Sequence, residues 1–308
     1  MSRRVALIIF GALLLIAAGS WLLSHRQAQP PRDTIGGGDG GGLPRAKPLD
    51  ERIDDAALQR AAQDPAAEGL QALVVVRNGH LVFERYGGGF SAESMLDGGG
   101  FARALLALAA GVAANDGELP PAALQGFDPL ALRAGIESGS QQPYALYLSQ
   151  KVWSRLNAGA AWIERPSAAA AAPADCCLHA RVLDWMRVAS LLADNGRFEG
   201  KQVIPAGWVQ RMQRPLSLDA VRGFGVELAA AAHGAEAFAV PQVFFLRGPQ
   251  RWRLWLCTPL KLAVLFGAPG QAANWDETRL PNLVLRAVSD RPAEPGDATE
   301  LQRLVPGH

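Results

Sequence analysis

The stretch Gly98 to Leu119, GGGFARALLALAAGVAANDGEL, has the form of a catalytic turn without a reactive group. A glycine-rich turn opens a buried helix, which is where many enzymes place a nucleophile. The positions that would carry it hold Gly100, Phe101, Ala102 and Arg103. Arg103 keeps a positive charge, but its pKa is too high for a base. What it can do is hold an anion, at a place where the helix dipole also favours negative charge. The plainer role is an ion pair with Glu84 or Asp97.

Other residues offer less. Ser91 and Ser94 precede the helix, and neither has a Lys or Tyr at useful spacing. Ser138 and Ser140 read as loop serines. His179 and His233 have no Ser or Cys partner suggested by the sequence. The three cysteines, Cys176, Cys177 and Cys257, form no CxxC or His-rich spacing. No metal and no cofactor is therefore implied. Adjacent cysteines rarely bridge each other, so at most one disulfide is expected, and all three read as buried small hydrophobes. Trp252 and Trp255 read as sharing one face of a strand.

The elements that would position these residues follow from local pattern. The alanine-rich run ends at Asn115-Asp116-Gly117, a helix stop. Ala72 to Tyr86 places two β-rich runs around Asn78-Gly79, the strongest short-range hairpin signal. Asp50 is placed to cap a helix through Ala62. Pro143 opens another helix with Leu146, Val152, Trp153 and Leu156 as its stripe. His179 to Ala193 reads as an amphipathic helix ending at Asn195-Gly196, and Pro205 opens a short one through Met212. Phe224 to Leu228, Val243 to Arg247, Trp252 to Cys257 and Leu262 to Phe266 read as strands, and Leu280 to Val288 as a closing helix. The expected fold class is α+β, an antiparallel sheet flanked by helices.

The chain has 308 residues, 49% hydrophobic and 19% charged, enough for one large domain with a sizeable core. A net charge of +1 gives no reason to expect a nucleic-acid partner. Arg3 and Arg4 precede an uncharged apolar run, Val5 to Leu23, close to a bilayer span. Residues 1–23 therefore read as a single transmembrane anchor with a cytoplasmic N-terminus, which puts the rest of the chain on the periplasmic side of an inner membrane. A cleaved signal peptide is the competing reading. Residues 24–48, rich in Gly and Pro, read as a flexible linker. Residues 49–288 read as the domain, and 289–308 as a polar tail.

Four stretches then resemble one family. They are LVVVRNGHLVFERYGGGF, CCLHARVLDWMRVASLLADNGRFEGKQVIPAGWV, FFLRGPQRWRLWLCTPLKLAVLFG and WDETRLPNLVLRAV. Together they cover most of Leu49 to Val288 and resemble the serine β-lactamase and penicillin-binding-protein superfamily. The likeness is to the class C β-lactamase-related branch, which includes 6-aminohexanoate-dimer hydrolases. The second stretch is the most specific.

The resemblance implies three motifs, and none is intact. The family's Ser-x-x-Lys falls at Gly100 and Arg103, so nucleophile and base are both missing. The Tyr-x-Asn lobe must fit between Leu119 and Tyr144, which is too short for it. Tyr144 and Tyr147 read as packing residues of the helix that follows. The third motif, Lys-Thr-Gly or His-x-Gly, is reduced to Gly248-Pro249-Gln250, where Pro249 also removes a backbone donor. The expectation is a β-lactamase-like fold with a shortened helical lobe, catalytically inactive. Its role would be binding or scaffolding, with a cell-envelope peptide or protein as partner. The rivals are an active hydrolase using a relocated nucleophile such as Ser94, and a purely structural partner domain. Serine is well tolerated at a helix start, so Gly100→Ser with Arg103→Lys is expected to fold.

Overall fold

The computed structural model describes residues 31–165, 177–216, 220–270 and 275–292. The described chain enters as strand β1 (Arg32–Ile35) and passes through the glycine run to a single turn at Pro48–Glu51. Helix α1 (Asp55–Ala61) starts later than the sequence suggests. Its cap is Asp54, whose side chain accepts the Ala56 N–H at 2.9 Å, and Asp50 lies in the preceding turn.

Strands β2 (Ala72–Arg77) and β3 (His80–Tyr86) form the expected hairpin. Its corner is Asn78 and Gly79, with φ of 50° and 83°, the left-handed pair that such a turn needs. Strand β4 (Met95–Asp97) leads through three glycines into helix α2 (Phe101–Asn115). The short region after α2 folds into helix α3 (Pro129–Ser140), capped by Asp128, whose carboxylate accepts the N–H groups of Leu130 and Ala131. Ser138 and Ser140 are thus helical. Helix α4 (Tyr144–Leu148) continues through tighter and wider turns to Leu156.

Strands β5 (Ala161–Glu164) and β6 (Leu178–Arg181) precede helix α5 (Val182–Ala193). The helix expected from His179 therefore begins three residues later. Every residue of α5 is buried, including Asp184 and Arg187, so it has no solvated face. Hairpin β7 (Arg197–Phe198) and β8 (Lys201–Gln202), helix α6 (Trp208–Met212) and strand β9 (Glu227–Leu228) follow. Strands β10 (Val243–Arg247), β11 (Arg253–Cys257) and β12 (Leu262–Gly267) and helix α7 (Arg279–Ala287) close the domain.

The expected single sheet is joined by a second. Six strands are ordered β3-β2-β12-β11-β10-β9, and four are ordered β1-β5-β6-β4. Helices α1 and α7 cover one face of the larger sheet, and α2 and α5 pack on the other. Along β2, Val74 and Val76 point into the α2/α5 core and Val75 into the α1/α7 core. Both faces are dry, so the strand reads as an unbroken apolar run. The same alternation corrects the tryptophans. Trp252 lies in the α2/α5 core and Trp255 in the α1/α7 core, because a spacing of three residues crosses to the other face of a strand.

The expected linker is part of the fold from residue 31 onward. β1 pairs antiparallel with β5, and Ile35 and Leu43 are buried. A Cβ on Gly37 would stand 2.1 Å from the Ala158 carbonyl oxygen, and one on Gly38 2.0 Å from Asn157 Oδ1. Glycine is required here for close approach. Arg181 donates to the Gly40 carbonyl at 2.9 Å, Arg187 donates to that of Gly41, and both arginines pair with the fully buried Asp184. The start of the tail is also held: Asp290 pairs with Arg77 at 2.5 Å. The apolar run Val5–Leu23 and residues 293–308 lie outside the described residues, as do Cys176 and the alanine run. Among the described residues no helix is long and apolar enough to cross a membrane.

Candidate functional site

The turn from β4 into α2 is where the chemistry was expected, and three glycines there meet three neighbours. A Cβ on Gly98 would lie 2.3 Å from the Trp185 ring, and one on Gly99 3.0 Å from the Pro249 ring. At Gly100 it would lie 2.2 Å from the carbonyl oxygen of Arg247, at the end of β10. A side chain there requires the strand to shift, so the Gly100→Ser with Arg103→Lys variant, expected to fold, carries a packing cost. The carbonyl of Arg247 stands beside the position that the resemblance assigns to the nucleophile.

The helix terminus is closed in a second way. The N–H groups of Phe101, Ala102 and Arg103 donate to the carbonyls of Gly98, Gly99 and Gly100 at 2.8, 3.1 and 3.2 Å. The donors that a helix start offers an anion are already engaged. Any anion recognition here falls to side chains.

Beside the turn lies a cavity of about 550 Å³. Gly100 and Arg103 line it from the start of α2, Gln125 and Phe127 from the loop after α2, Arg222 from the segment leading into β9, Glu227 from β9, and Arg247 from β10. The Arg103 guanidinium lies 4.9 Å from the centre of the Phe127 ring, a cation–π arrangement. It does not pair with either expected carboxylate. Glu84 is held by Arg45 and by the Tyr86 hydroxyl, and Asp97 accepts the Gly99 N–H at 3.0 Å. Phe127 packs edge-on against Phe224, which packs edge-on against Trp208, so the lining ring is braced by an aromatic row.

Under the cavity sits a charged knot. Arg247 pairs with Glu227 and, at 2.7 Å, with Glu277, and Arg253 reaches Glu277 at 2.6 Å. Glu277 is 2% exposed. Burial alone would raise its pKa, but the hydrogen bonds from Arg247 and Arg253 outweigh this and hold it at about 2. Arg247 is thus an anchored structural cation as well as the residue whose backbone seals Gly100.

The other sequence candidates do not converge on this cavity. Gly248 and Gln250 form the β10–β11 turn: the Gly248 N–H donates to the Trp252 carbonyl at 2.9 Å, and Gln250 is exposed with φ of 52°. Tyr144 and Tyr147 are buried away from it as packing residues, and burial raises both hydroxyl pKa values, with Glu118 adding to the effect at Tyr147. Ser94 Oγ accepts the Ser91 N–H at 2.9 Å, with no Lys or His partner among the described residues. His179 pairs with Glu164 at 3.3 Å and stacks on Trp162. Cys177 is disulfide-bonded, which departs from the reading of all three cysteines as plain hydrophobes. Cys257 is a buried free thiol that burial pushes up to about 11. Sequence reasoning missed Arg222, Glu227 and Phe127. The pair Gly223 and Gly225 around Phe224 was the available signal, because a glycine pair inside an apparent strand marks close backbone approach.

No protein-family model matches the chain, and no curated protein matches it by sequence. Solved structures do match. A protein of Bacillus anthracis assigned as a 6-aminohexanoate-dimer hydrolase superposes with a TM-score of 0.60 at 14% identity, covering 80% of this chain and 87% of that one. A β-lactamase from Mycobacterium bovis gives 0.57 at 15%, covering 75% and 99%. A family VIII carboxylesterase gives 0.56 at 11%, covering 79% and 98%. The chain has the fold of the serine β-lactamase and penicillin-binding-protein superfamily.

Proposed function

We propose that this protein is a membrane-tethered, non-cytoplasmic domain of β-lactamase-like fold that binds its ligand without forming an acyl-enzyme. The observation that carries the reading is the Arg247 carbonyl standing where a Gly100 side chain would project. Acyl transfer of this kind needs a nucleophile and a base one turn apart. Here the first position has no side chain and a backbone oxygen where one would project, and the second holds arginine in place of the family's lysine.

A cavity nevertheless remains beside the turn, lined by Arg103, Arg222 and Phe127. Such a mixture of cationic and aromatic groups suits non-covalent recognition of an anionic ligand. Binding or scaffolding in the cell envelope follows from this cavity together with the apolar run Val5 to Leu23. The relocated-nucleophile reading is weaker, because the Ser94 hydroxyl has no Lys or His partner among the described residues.

Turnover assays test the proposal. Purified protein is incubated with a chromogenic cephalosporin and with nitrophenyl esters of short acids. The expected rates equal those of buffer alone. Turnover that disappears in Ser94→Ala would overturn the proposal.

A further inference from the structure

The anchor proposed above and the folded start of the domain stand close together in the chain. The apolar run ends at Leu23, and the described chain begins at Pro31, directly before β1. Only residues 24–30 lie between them. In any conformation they span at most roughly 25 Å. A flexible linker running through Pro48 would instead reach roughly 85 Å.

That difference decides how the domain sits. A compact domain of about 240 residues is roughly 45 Å across. A tether of roughly 25 Å cannot bring the far side of such a body to the bilayer, because the attachment point would then stand about 45 Å away. The attachment point itself is held. β1 pairs with β5 from Arg32–Glu164 to Ile35–Ala161, the Arg165 N–H donates to the Pro31 carbonyl at 2.7 Å, and Ile35 is buried.

The sheet end at that point suits a headgroup layer. Arg32 is exposed, and its guanidinium lies 4.7 Å from the centre of the Trp162 ring. Arginine and tryptophan are side chains that settle at headgroup depth. The carboxylates beside them are engaged: Asp33 pairs with Arg165 at 2.9 Å, and Glu164 lies 3.3 Å from His179. Arg32 and Arg165 balance these two acids, so the end does not repel a layer of lipid phosphates.

We propose that the end of the smaller sheet carrying Arg32, Trp162 and Arg165 is the membrane-facing surface of the domain, held over phospholipid headgroups by the short stretch before β1. The proposal rests on the membrane-tether reading above and deepens it.

Energy transfer in proteoliposomes tests this. The full chain is placed in vesicles of phosphatidylethanolamine and phosphatidylglycerol with an acceptor dye on the headgroups. A donor dye is attached at Thr34→Cys, exposed on β1, or at Gln59→Cys, exposed on α1, with the unsubstituted chain as the labelling blank. Ile35 lies in the α2/α5 core and α1 covers the opposite face of the larger sheet, so the two dyes sit on different sides of the domain. The Thr34 donor is expected to lose at least about twice the fraction of its emission that the Gln59 donor loses. Inserting about twenty Gly and Ser residues after Pro30 extends the reach to roughly 90 Å and should bring the two losses together. Equal losses without the insertion, or a difference that the insertion leaves unmoved, would overturn the proposal. Alkaline carbonate extraction separates its failure from that of the tether. A chain released from the vesicles has no anchor and overturns both, whereas a retained chain with equal losses overturns this proposal alone.

Discussion

The Arg247 carbonyl oxygen and Gly100 make a contact that no larger residue permits, since a Cβ on Gly100 would lie 2.2 Å from that oxygen. Gly100 has φ of −63°, so alanine is disfavoured by space and not by backbone conformation. Gly100→Ala is expected to cost about 1–3 kcal/mol through overpacking. For a domain of this size that lowers the melting point by roughly 2–4 °C per kcal/mol. Gly126 also lines the cavity, but a Cβ there has nothing within 4 Å, so Gly126→Ala should leave melting unchanged. Equal melting of the two variants would show that β10 does not press on the α2 start.

The same contact governs attempts to restore chemistry. Gly100→Ser with Arg103→Lys should carry the stability penalty of Gly100→Ala and should not hydrolyse a chromogenic cephalosporin. A stable, active double variant would mean that the strand can withdraw.

Glu277 links the site to pH. Its folded pKa of about 2 lies below the ordinary glutamate value near 4.3, so the stabilisation is present above about 4.3 and is lost as pH falls towards about 2. Chemical denaturation from about pH 6 down to 2 should show this fall. Glu277→Gln should cost about 3 kcal/mol at neutral pH, because Arg247 and Arg253 lose their shared partner, and should flatten the acid limb. Parallel pH profiles for parent and variant would refute the assignment.

The glycine-rich segment before Leu49 gives a sharper test of domain boundaries. A chain beginning at Leu49 loses β1 from the edge of β5 and removes the carbonyl acceptors of Arg181 and Arg187. It is expected to melt well below the longer chain. Limited proteolysis of the full chain should spare Gly36 to Leu43. Rapid cleavage there with no loss of stability would restore the linker reading.

Local pattern made much of the larger sheet legible. The Asn78-Gly79 hairpin, α2 and strands β10 to β12 each announce themselves within about ten residues, because turn chemistry and apolar runs act at short range. The smaller sheet was not legible. β4, β5 and β6 are three or four residues long, and β1 is followed by glycines that read as flexible. In both glycine stretches the absent side chain serves a contact with a residue distant in sequence, such as Ala158 or Arg247. Nothing in the local sequence distinguishes that from a linker. The cavity was half legible: Gly100 and Arg103 were singled out, while Glu227 arrives from a segment that read as a plain strand and Arg222 from the residues just before it.

The apolar run Val5 to Leu23 predicts topology. Reporters active only in the cytoplasm or only in the periplasm, fused at the C-terminus, should show periplasmic activity alone. Cytoplasmic reporter activity would remove the tether from the proposal.

Intact-mass measurement of the purified chain after incubation with a fluorophosphonate and with a fluorescent penicillin bears most directly on the proposal that no acyl-enzyme forms. A site without a nucleophile predicts an unchanged mass with both reagents at every incubation time. A stoichiometric adduct, mapped to a serine and lost when that serine is replaced by alanine, would contradict it.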